Sequence, residues 1–389
     1  MIRQICKYIV FKMVYPCVYS VGKLRKINKK RILFVENHGE VLSEDYSLLQ
    51  SELEAQGYEV YTHYLRISSS SWGRIVRRTI AMIWDMSTAA CVFLNESNSV
   101  FGSFRVRRET RLIQLWHACG AFKKWGFSVA DKSFGDDNHQ LQKYSGHRNY
   151  DLVTVSGDEV RFAYIEAFGL QDNASVVKAI GVSRTDVFFS EERKQDAYRK
   201  WNQLQQRYNW ISDKERKIIL YAPTFRGDIR GAKSPDCIDL QMFSNLEEDY
   251  VIIIKQHPFV KEGFAIPENC AGFCMEVRDE LSISELLMLA DICVTDYSSI
   301  IFEYSLMSKP MFFLACDIQD YYDERGFYYP YESFVPGPIV TTTKELVEQI
   351  GQIENYDMHR VEAFRDMYMN ACDGNSTERI LDYVLKDQA

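Results

Sequence analysis

The stretch Leu286–Ala315, LLMLADICVTDYSSIIFEYSLMSKPMFFLA, decides how the whole chain reads. Two apolar segments flank a polar island, Thr295-Asp296-Tyr297-Ser298-Ser299. The run ICVT is short and uninterruptedly apolar, as a strand covered on both faces must be. After the island comes a helix, and after the helix PMFFLA reads as another buried strand. Strand, polar stop, helix, strand is a parallel βαβ unit. In sheets built from such units, ligands bind beyond the carboxyl ends of the strands. A core has no use for an acid, a phenol and two hydroxyls in succession, but a site at a strand end does.

The same rhythm runs outward in both directions. The second half reads KIILYAPTF, a polar loop, YVIIIKQHP, FCMEVRD, the helix ISELLMLA, DICVTDYSS, a helix and PMFFLACD. The first half reads RILFVENHGE, a helix over Asp45 to Gln56, YEVYTHYL, a basic helix over Gly73 to Met86, ACVFLN, RLIQLWHACG, YDLVTVSG, a helix over Asp158 to Phe168 and VVKAIGVSRTD. A charged helix from Glu191 to Tyr208 separates the halves, and the pattern from Tyr356 to Leu385 is helical. At 389 residues the chain is too long for one core. The expectation is α/β: two Rossmann-like domains facing across a crevice, at 31–188 and 210–355. A basic amphipathic segment at 1–30 precedes them, and helices at 356–389, whose candidate packing surface is the N-terminal domain, follow. No internal repeat or low-complexity segment is present.

The composition, 46% apolar and 26% charged, is that of a globular protein. A net charge of −8 argues against a general nucleic-acid binder. Residues 1–35 hold nine Lys or Arg and no acid, which leaves −17 on the rest once that +9 is taken from −8. The segment MIRQICKYIVFKMVYPCVYSVGKLRKINKKR is too often interrupted by charge to cross a bilayer. Its apolar residues could enter the headgroup region while Lys and Arg meet anionic lipid; the plainer use is a helix packed on the protein. The ten cysteines are scattered, with Cys270 and Cys274 the only close pair. They read as reduced thiols, neither a disulfide framework nor a metal site.

Four strand ends carry chemistry. His117 follows RLIQLW; Thr224, Arg226 and Asp228 follow IILYAP; His257-Pro258 follows VIIIKQ; Asp296, Tyr297, Ser298 and Ser299 close DICVTDYSS. Histidine is a base or a phosphate donor, and arginine is a phosphate fork. Serines opening a helix offer hydroxyls and backbone N–H groups to an anion. Each alone has a plain structural use: the serines or Asp296 as helix caps, a lone histidine as a structural residue. Four such clusters together point to a crevice for an anionic ligand. There is no GxGxxG after a strand and no Walker loop, and GDDNH (135–139) lacks the spaced acidic pair of metal-dependent sugar transferases. A metal is not demanded.

Several of these stretches resemble the CDP-glycerol glycerophosphotransferase family, the teichoic-acid primases and polymerases. The resemblance runs through LIQLWHACGAFKKWGF, VSGDEVRFAYIEAFG, GVSRTDVFF, ILYAPTFRGD, IIIKQHP, ADICVTDYSSIIFEYSLMSKPMFF and RGFYYPYESFVPGPIV, from Leu112 to Ile350. It implies a GT-B architecture with the nucleotide held mainly by the C-terminal domain, in a peripheral enzyme on the cytoplasmic face of the cell membrane. The implied reaction moves glycerol phosphate or ribitol phosphate from CDP-glycerol or CDP-ribitol to a hydroxyl of a lipid-linked glycan or polyol-phosphate acceptor. It releases CMP, in teichoic-acid, capsule or related polymer synthesis. The implied partners are the CDP-polyol, the lipid-linked acceptor and an anionic membrane surface. No cofactor is required; Mg²⁺ is compatible.

By the same resemblance His117 is the general base that takes the acceptor proton as oxygen attacks the β-phosphorus. His257, of the His-Pro motif, holds or neutralises the pyrophosphate. Thr224 and Arg226 match the Ala-Pro-Thr-aromatic-Arg motif and contact phosphate. Asp296, Ser298 and Ser299 match the TDYSS motif of the phosphate site. Glu303 stands where many relatives have Asp and suits the polyol or ribose hydroxyls. Lys123 and Lys124 are candidate acceptor contacts, with a solvated helix face as the plain alternative. His117-Ala118-Cys119-Gly120 departs from the commoner His-Gly-Thr-Pro, which leaves acceptor and polyol open. Two other readings compete: a GT-B glycosyltransferase using a nucleotide sugar, and a non-catalytic membrane-surface binding protein. Against the last stand the intact His117, Arg226, His257 and both serines.

Overall fold

The computed structural model describes residues 2–132, 135, 137–208, 216–227, 231–319 and 326–386, the first two by backbone alone. The chain divides into two compact units. Unit 1 comprises Met1–Cys119, Lys124–Asp186 and Ala371–Ala389; unit 2 comprises Gly120–Lys123 and Val187–Asn370.

Unit 1 is built on a parallel sheet of β1 (Asn28–Glu36), β2 (Glu59–Tyr64), β3 (Ala89–Leu94), β4 (Arg111–Gln114), β5 (Leu152–Thr154) and β6 (Val177–Lys178). Their spatial order is β2-β1-β3-β4-β5-β6. Every residue of β3 is buried, because helices cover both faces of a parallel sheet. On one face Phe34 stacks on Tyr46 of the helix Glu44–Ala55, with ring centroids 4.7 Å apart. The same core takes in Ile380, Leu381 and Val384 of the helix Ser376–Leu385. The chain leaves β1 for β2 on one side and returns to β3 on the other, so the order reverses between β1 and β3.

Unit 2 repeats the plan with β7 (Lys217–Tyr221), β8 (Tyr250–Ile254), β9 (Cys274–Glu276), β10 (Ile292–Thr295), β11 (Met311–Leu314) and β12 (Ile339–Val340). The order is β12-β11-β10-β7-β8-β9, all parallel, and it reverses between β7 and β10. Register there pairs Tyr221 with Val294, which sets the two strand ends side by side. The helix Glu191–Arg207 starts on Ser190, whose hydroxyl accepts from the Arg193 amide, with Glu191 and Glu192 in its first turn and Arg207 in its last. Those placements satisfy the free amides and suit the helix dipole. The helix Ile283–Leu289 starts on a Ser282–Glu285 capping box.

Two features differ from the sequence pattern. The helical ending breaks over 369–375: Met358–Tyr368 belongs to unit 2 and Ser376–Leu385 to unit 1. The short strand β12 is too brief to show as a period. The segment after Met1 is helical, as Ile2–Ile9, a π-helical turn Val10–Val14, and Tyr15–Gly22. Phe11, Tyr15 and Tyr19 are buried at four-residue spacing, and Tyr19 stacks on Phe104 at 4.3 Å. Ile5, Tyr8, Ile9 and Met13 stay exposed, Met13 at 62%. Among the described residues no helix is long and apolar enough to cross a membrane.

Candidate active site

In unit 2 the strand reversal brings together the ends of β7 and β10. There the Asp296 carboxylate is 2% exposed and works as an internal hub. One oxygen accepts from the Thr224 amide at 2.8 Å and the Tyr297 amide at 2.6 Å. The Thr224 hydroxyl donates to both oxygens at 2.9 and 3.0 Å. Arg226 Nη2 donates to the second oxygen at 3.0 Å. Thr224, Arg226 and Asp296 therefore form one network.

Asp317, beyond β11, completes it. Arg226 Nε and Nη2 meet its two oxygens at 2.5 and 2.9 Å, a bidentate fork, and the Tyr297 hydroxyl adds a bond at 3.0 Å. Arg226 Nη1 donates to the Thr224 carbonyl and hydroxyl at 3.0 and 2.9 Å. Burial alone would lower the Arg226 pKa, but the two carboxylates more than offset it and raise it. Burial pushes the Asp317 carboxyl up, and Arg226 and Tyr297 outweigh that and hold it below its usual range. Among the described residues, one cation and two anions meet here.

Ser298 and Ser299 follow directly, half-buried, with Ser299 at the N-cap of the short helix Ile300–Ser305. Glu303 lies buried on that helix. His257 stands at the end of β8, its ring 4.7 Å from Phe225, the residue between Thr224 and Arg226. The Phe259 amide donates to His257 Nδ1 at 3.2 Å. Nδ1 is thus an acceptor, and in the neutral ring Nε2 carries the proton. A cavity of about 260 Å³ opens beside it, lined by Lys255, Gln256, His257, Lys261 and Arg278 among others.

In unit 1, His117 follows β4 through Trp116, whose φ of +60° is left-handed backbone. For a non-glycine residue that costs roughly 1–3 kcal/mol and persists only where surroundings fix it. Gln114 Oε1 accepts from the Trp116 amide at 2.9 Å, and the indole packs on Phe168 at 5.1 Å. The turn delivers an exposed His117 ring whose Nδ1 lies 3.1 Å from the Asn95 carbonyl oxygen. A carbonyl only accepts, so Nδ1 carries the proton and Nε2 the lone pair. Arg184 grips the His117 carbonyl at 2.8 Å and Asp45 at 3.2 Å, and the Asn95 amide donates to Asp45 at 3.1 Å. In their neutral forms the two histidines take opposite tautomers, His117 with the lone pair on Nε2 and His257 with the proton there.

Lys123 and Lys124 are half-buried, and the Lys123 backbone bridges to Phe327. Gly120 has φ +65°, and a Cβ there would collide with the Phe302 ring. Asp228 and Asp136, one of the acids of GDDNH, lie outside the described residues. Sequence reasoning missed Arg184, Asp45, Asn95 and Asp317. Arg184 and Asp317 carry a faint signal, since each follows a buried strand run in GVSRTD and FFLACD.

The cysteine reading is corrected. Cys316, one residue before Asp317, is joined to Cys237 in a disulfide across a separation of 79 residues, with Cα atoms 6.1 Å apart. Strand order brings these two together, and no local spacing could announce it. Cys270 and Cys274, the close pair in sequence, are free and buried. Among the described residues, Cys237, Cys316 and Asp317 are the one group of three donors near enough to hold a metal. Both sulfurs and the carboxylate are already engaged, by each other and by Arg226.

Comparison with known proteins agrees with this architecture. The chain is 32% identical over 378 residues to the teichoic acid poly(ribitol-phosphate) polymerase of Bacillus spizizenii, covering 96% of this chain and 59% of that protein. It is 39% identical over 283 residues to the teichoic acid ribitol-phosphate primase of the same organism, covering 72% and 70%. The chain thus spans less than two thirds of the first of these relatives. The solved structure of the wall teichoic acid polymerase TagF superposes with a TM-score of 0.75 at 23% identity over 98% of this chain and 95% of that one. At that identity the likeness shows the fold, which is GT-B-like. A sequence profile of the CDP-Glycerol:Poly(glycerophosphate) glycerophosphotransferases matches residues 17–386, and the chain belongs to that family.

Proposed function

We propose that the chain transfers a phosphopolyol from a CDP-polyol to a hydroxyl of a lipid-linked acceptor, with release of CMP. Family membership supports the reaction class, and the opposed tautomers of His117 and His257 carry the division of roles. His117 Nε2 takes the proton of the acceptor hydroxyl. The acceptor oxygen attacks the β-phosphorus, the bond from that phosphorus to the oxygen bridging the α-phosphate breaks, and its electron pair leaves with CMP. His257 Nε2–H donates to the phosphate oxygens as charge builds on them, and the Ser298 and Ser299 hydroxyls add donors. Buried Asp296 and Thr224 frame the site without touching substrate. The two relatives described above act on ribitol phosphate by name, which favours CDP-ribitol over CDP-glycerol as donor.

The same reading makes this a peripheral enzyme at the cytoplasmic face of the membrane. The exposed Ile5, Ile9 and Met13 support it, since such an apolar face enters the headgroup region; Lys7 and Lys12 are turned to the protein, over the Tyr144 ring. CMP release by the purified protein, with CDP-ribitol and CDP-glycerol offered in parallel to a lipid-linked acceptor, tests the proposal. His117→Ala should slow transfer by about 10²–10⁴-fold at unchanged donor affinity, and His257→Ala should weaken donor binding. Full transfer by both variants would sink the mechanism. No CMP from either donor alongside turnover of a UDP-sugar would establish the glycosyltransferase alternative.

A further inference from the structure

The Arg226 fork is occupied in this structure. Asp317 takes its bidentate edge, Asp296 shares Nη2 and Thr224 takes Nη1. A phosphate would need the edge that Asp317 fills, and among the described residues two carboxylates face the one guanidinium there, a balance that does not favour an anion. The site therefore has a closed state, and the step that opens it is withdrawal of Asp317.

Two cysteines sit where that step could be controlled. Cys316 is the chain neighbour of Asp317. Cys237 lies four residues beyond Lys233, whose backbone is paired with that of Arg226 at 2.8 and 3.1 Å. Cys237 is a fixed post, because its carbonyl accepts from the Thr343 hydroxyl at 3.1 Å and the Asp239 amide donates to that hydroxyl at 2.9 Å. Cys316 is exposed and open to a solute oxidant. The disulfide ties the loop that carries Asp317 to the post beside Arg226.

We propose that Cys237 and Cys316 form a redox-responsive dithiol: its disulfide holds Asp317 on Arg226 and closes the anion site of unit 2, and its reduction opens it. The opening half rests on the reading of this network as the donor phosphate site; the disulfide itself does not. Oxidation removes two electrons and two protons from the thiol pair. Hydrogen peroxide takes them up: its O–O bond breaks, the Cys316 thiolate becomes a sulfenic acid, Cys237 displaces hydroxide to form the S–S bond, and two waters result in all. A thiol reductant reverses it by exchange.

The test uses the full chain with the exposed Cys6 and Cys17 changed to Ser, treated with hydrogen peroxide or with dithiothreitol. Peptide mass mapping should find the Cys237 and Cys316 peptides cross-linked only after peroxide. Calorimetry with CDP as probe should show the oxidised form binding about tenfold more weakly or worse, the effect of withholding one charge-assisted contact. Cys316→Ser should bind CDP like the reduced protein under both treatments, and Asp317→Asn should bind tightly even when oxidised. Thiols that stay free after peroxide, or equal CDP affinity in both forms, would overturn the proposal. CDP bound by neither form would remove the donor-site reading and the gate with it. The peptide map reports the disulfide independently, so the two failures are distinguishable.

Discussion

Replacing Asp296 by Asn tests whether this residue is a frame or a ligand contact. The carboxylate receives the Thr224 amide, the Thr224 hydroxyl, the Tyr297 amide and Arg226 Nη2, all between 2.6 and 3.0 Å, at 2% exposure. Asparagine keeps the volume but has one acceptor oxygen, and its NH₂ must face one of these donors. It also removes a charge from a partly buried Arg226. Arg226 keeps Asp317 as its counter-ion, so the cost falls on the buried donors that lose their acceptor, at about 1–3 kcal/mol each and about 3–5 kcal/mol together. For a unit of this size each kcal/mol lowers Tm by roughly 2–4 °C, so a fall of roughly 6–20 °C is expected in the transition of unit 2. Calorimetric or denaturant unfolding reads it, with His257→Ala as the contrast. That half-buried ring lies outside the hub, and its loss should cost less than about 1.5 kcal/mol. A cycle with Thr224→Val should return a coupling of about 1–3 kcal/mol. If Asp296→Asn unfolds within about 1 kcal/mol of the parent, or shows no coupling to Thr224, the hub is not what holds the strand ends together and the argument fails.

Burial pulls the His147 pKa down to about 3, with its ring stacked on Phe168 at 4.0 Å. The unfolded chain takes up its proton near pH 6.5 and the folded one does not, so unit 1 should lose about 2 kcal/mol between pH 6.5 and 5. His147→Phe should flatten that slope, and an unchanged slope in unfolding against pH would reject the assignment. Arg184→Gln, which releases the His117 carbonyl, should lower kcat on the order of tenfold to a hundredfold while the donor KM holds. A loss confined to KM would assign Arg184 to binding. The double variant Ile9→Asp, Met13→Asp should bind anionic vesicles on the order of tenfold more weakly at an unchanged unfolding midpoint. Equal binding would leave the N-terminal helices a packing role only.

The two-sheet plan and its strand ends were legible because buried parallel strands are short apolar runs and each site residue sits just past one. Thr224, Arg226 and Asp296 could be named separately from that rule. Their meeting could not, since it depends on β10 pairing with β7 across some seventy residues. The TDYSS motif places Asp296 in the phosphate site, and in the structure its carboxylate accepts from internal donors. Only a register tells a hub from a contact. Asp317 hid behind an apolar run that looked like plain core, and Asn95 reaches His117 through its backbone carbonyl, which no side-chain pattern reports. The N-terminal segment carried two signals at once: Phe11, Tyr15 and Tyr19 turn inward while Ile5, Ile9 and Met13 stay outside.

The seating of the helix Ser376–Leu385 in the core of unit 1 has a consequence for synthesis. Ile380, Leu381 and Val384 pack among Phe34, Tyr46 and Phe93, and Asp186 accepts from the Ser376 and Thr377 amides at 3.1 and 2.7 Å. Residues 187–370, nearly all of unit 2, are translated between those partners. At 5–20 residues per second a nascent unit 1 waits roughly 10–40 s with an apolar slot uncovered. Unit 2, almost continuous in the chain, can close first, so the order of maturation on the ribosome runs against the order of the units in the sequence. During that interval the slot is where a chaperone would bind, and where a stalled chain would aggregate.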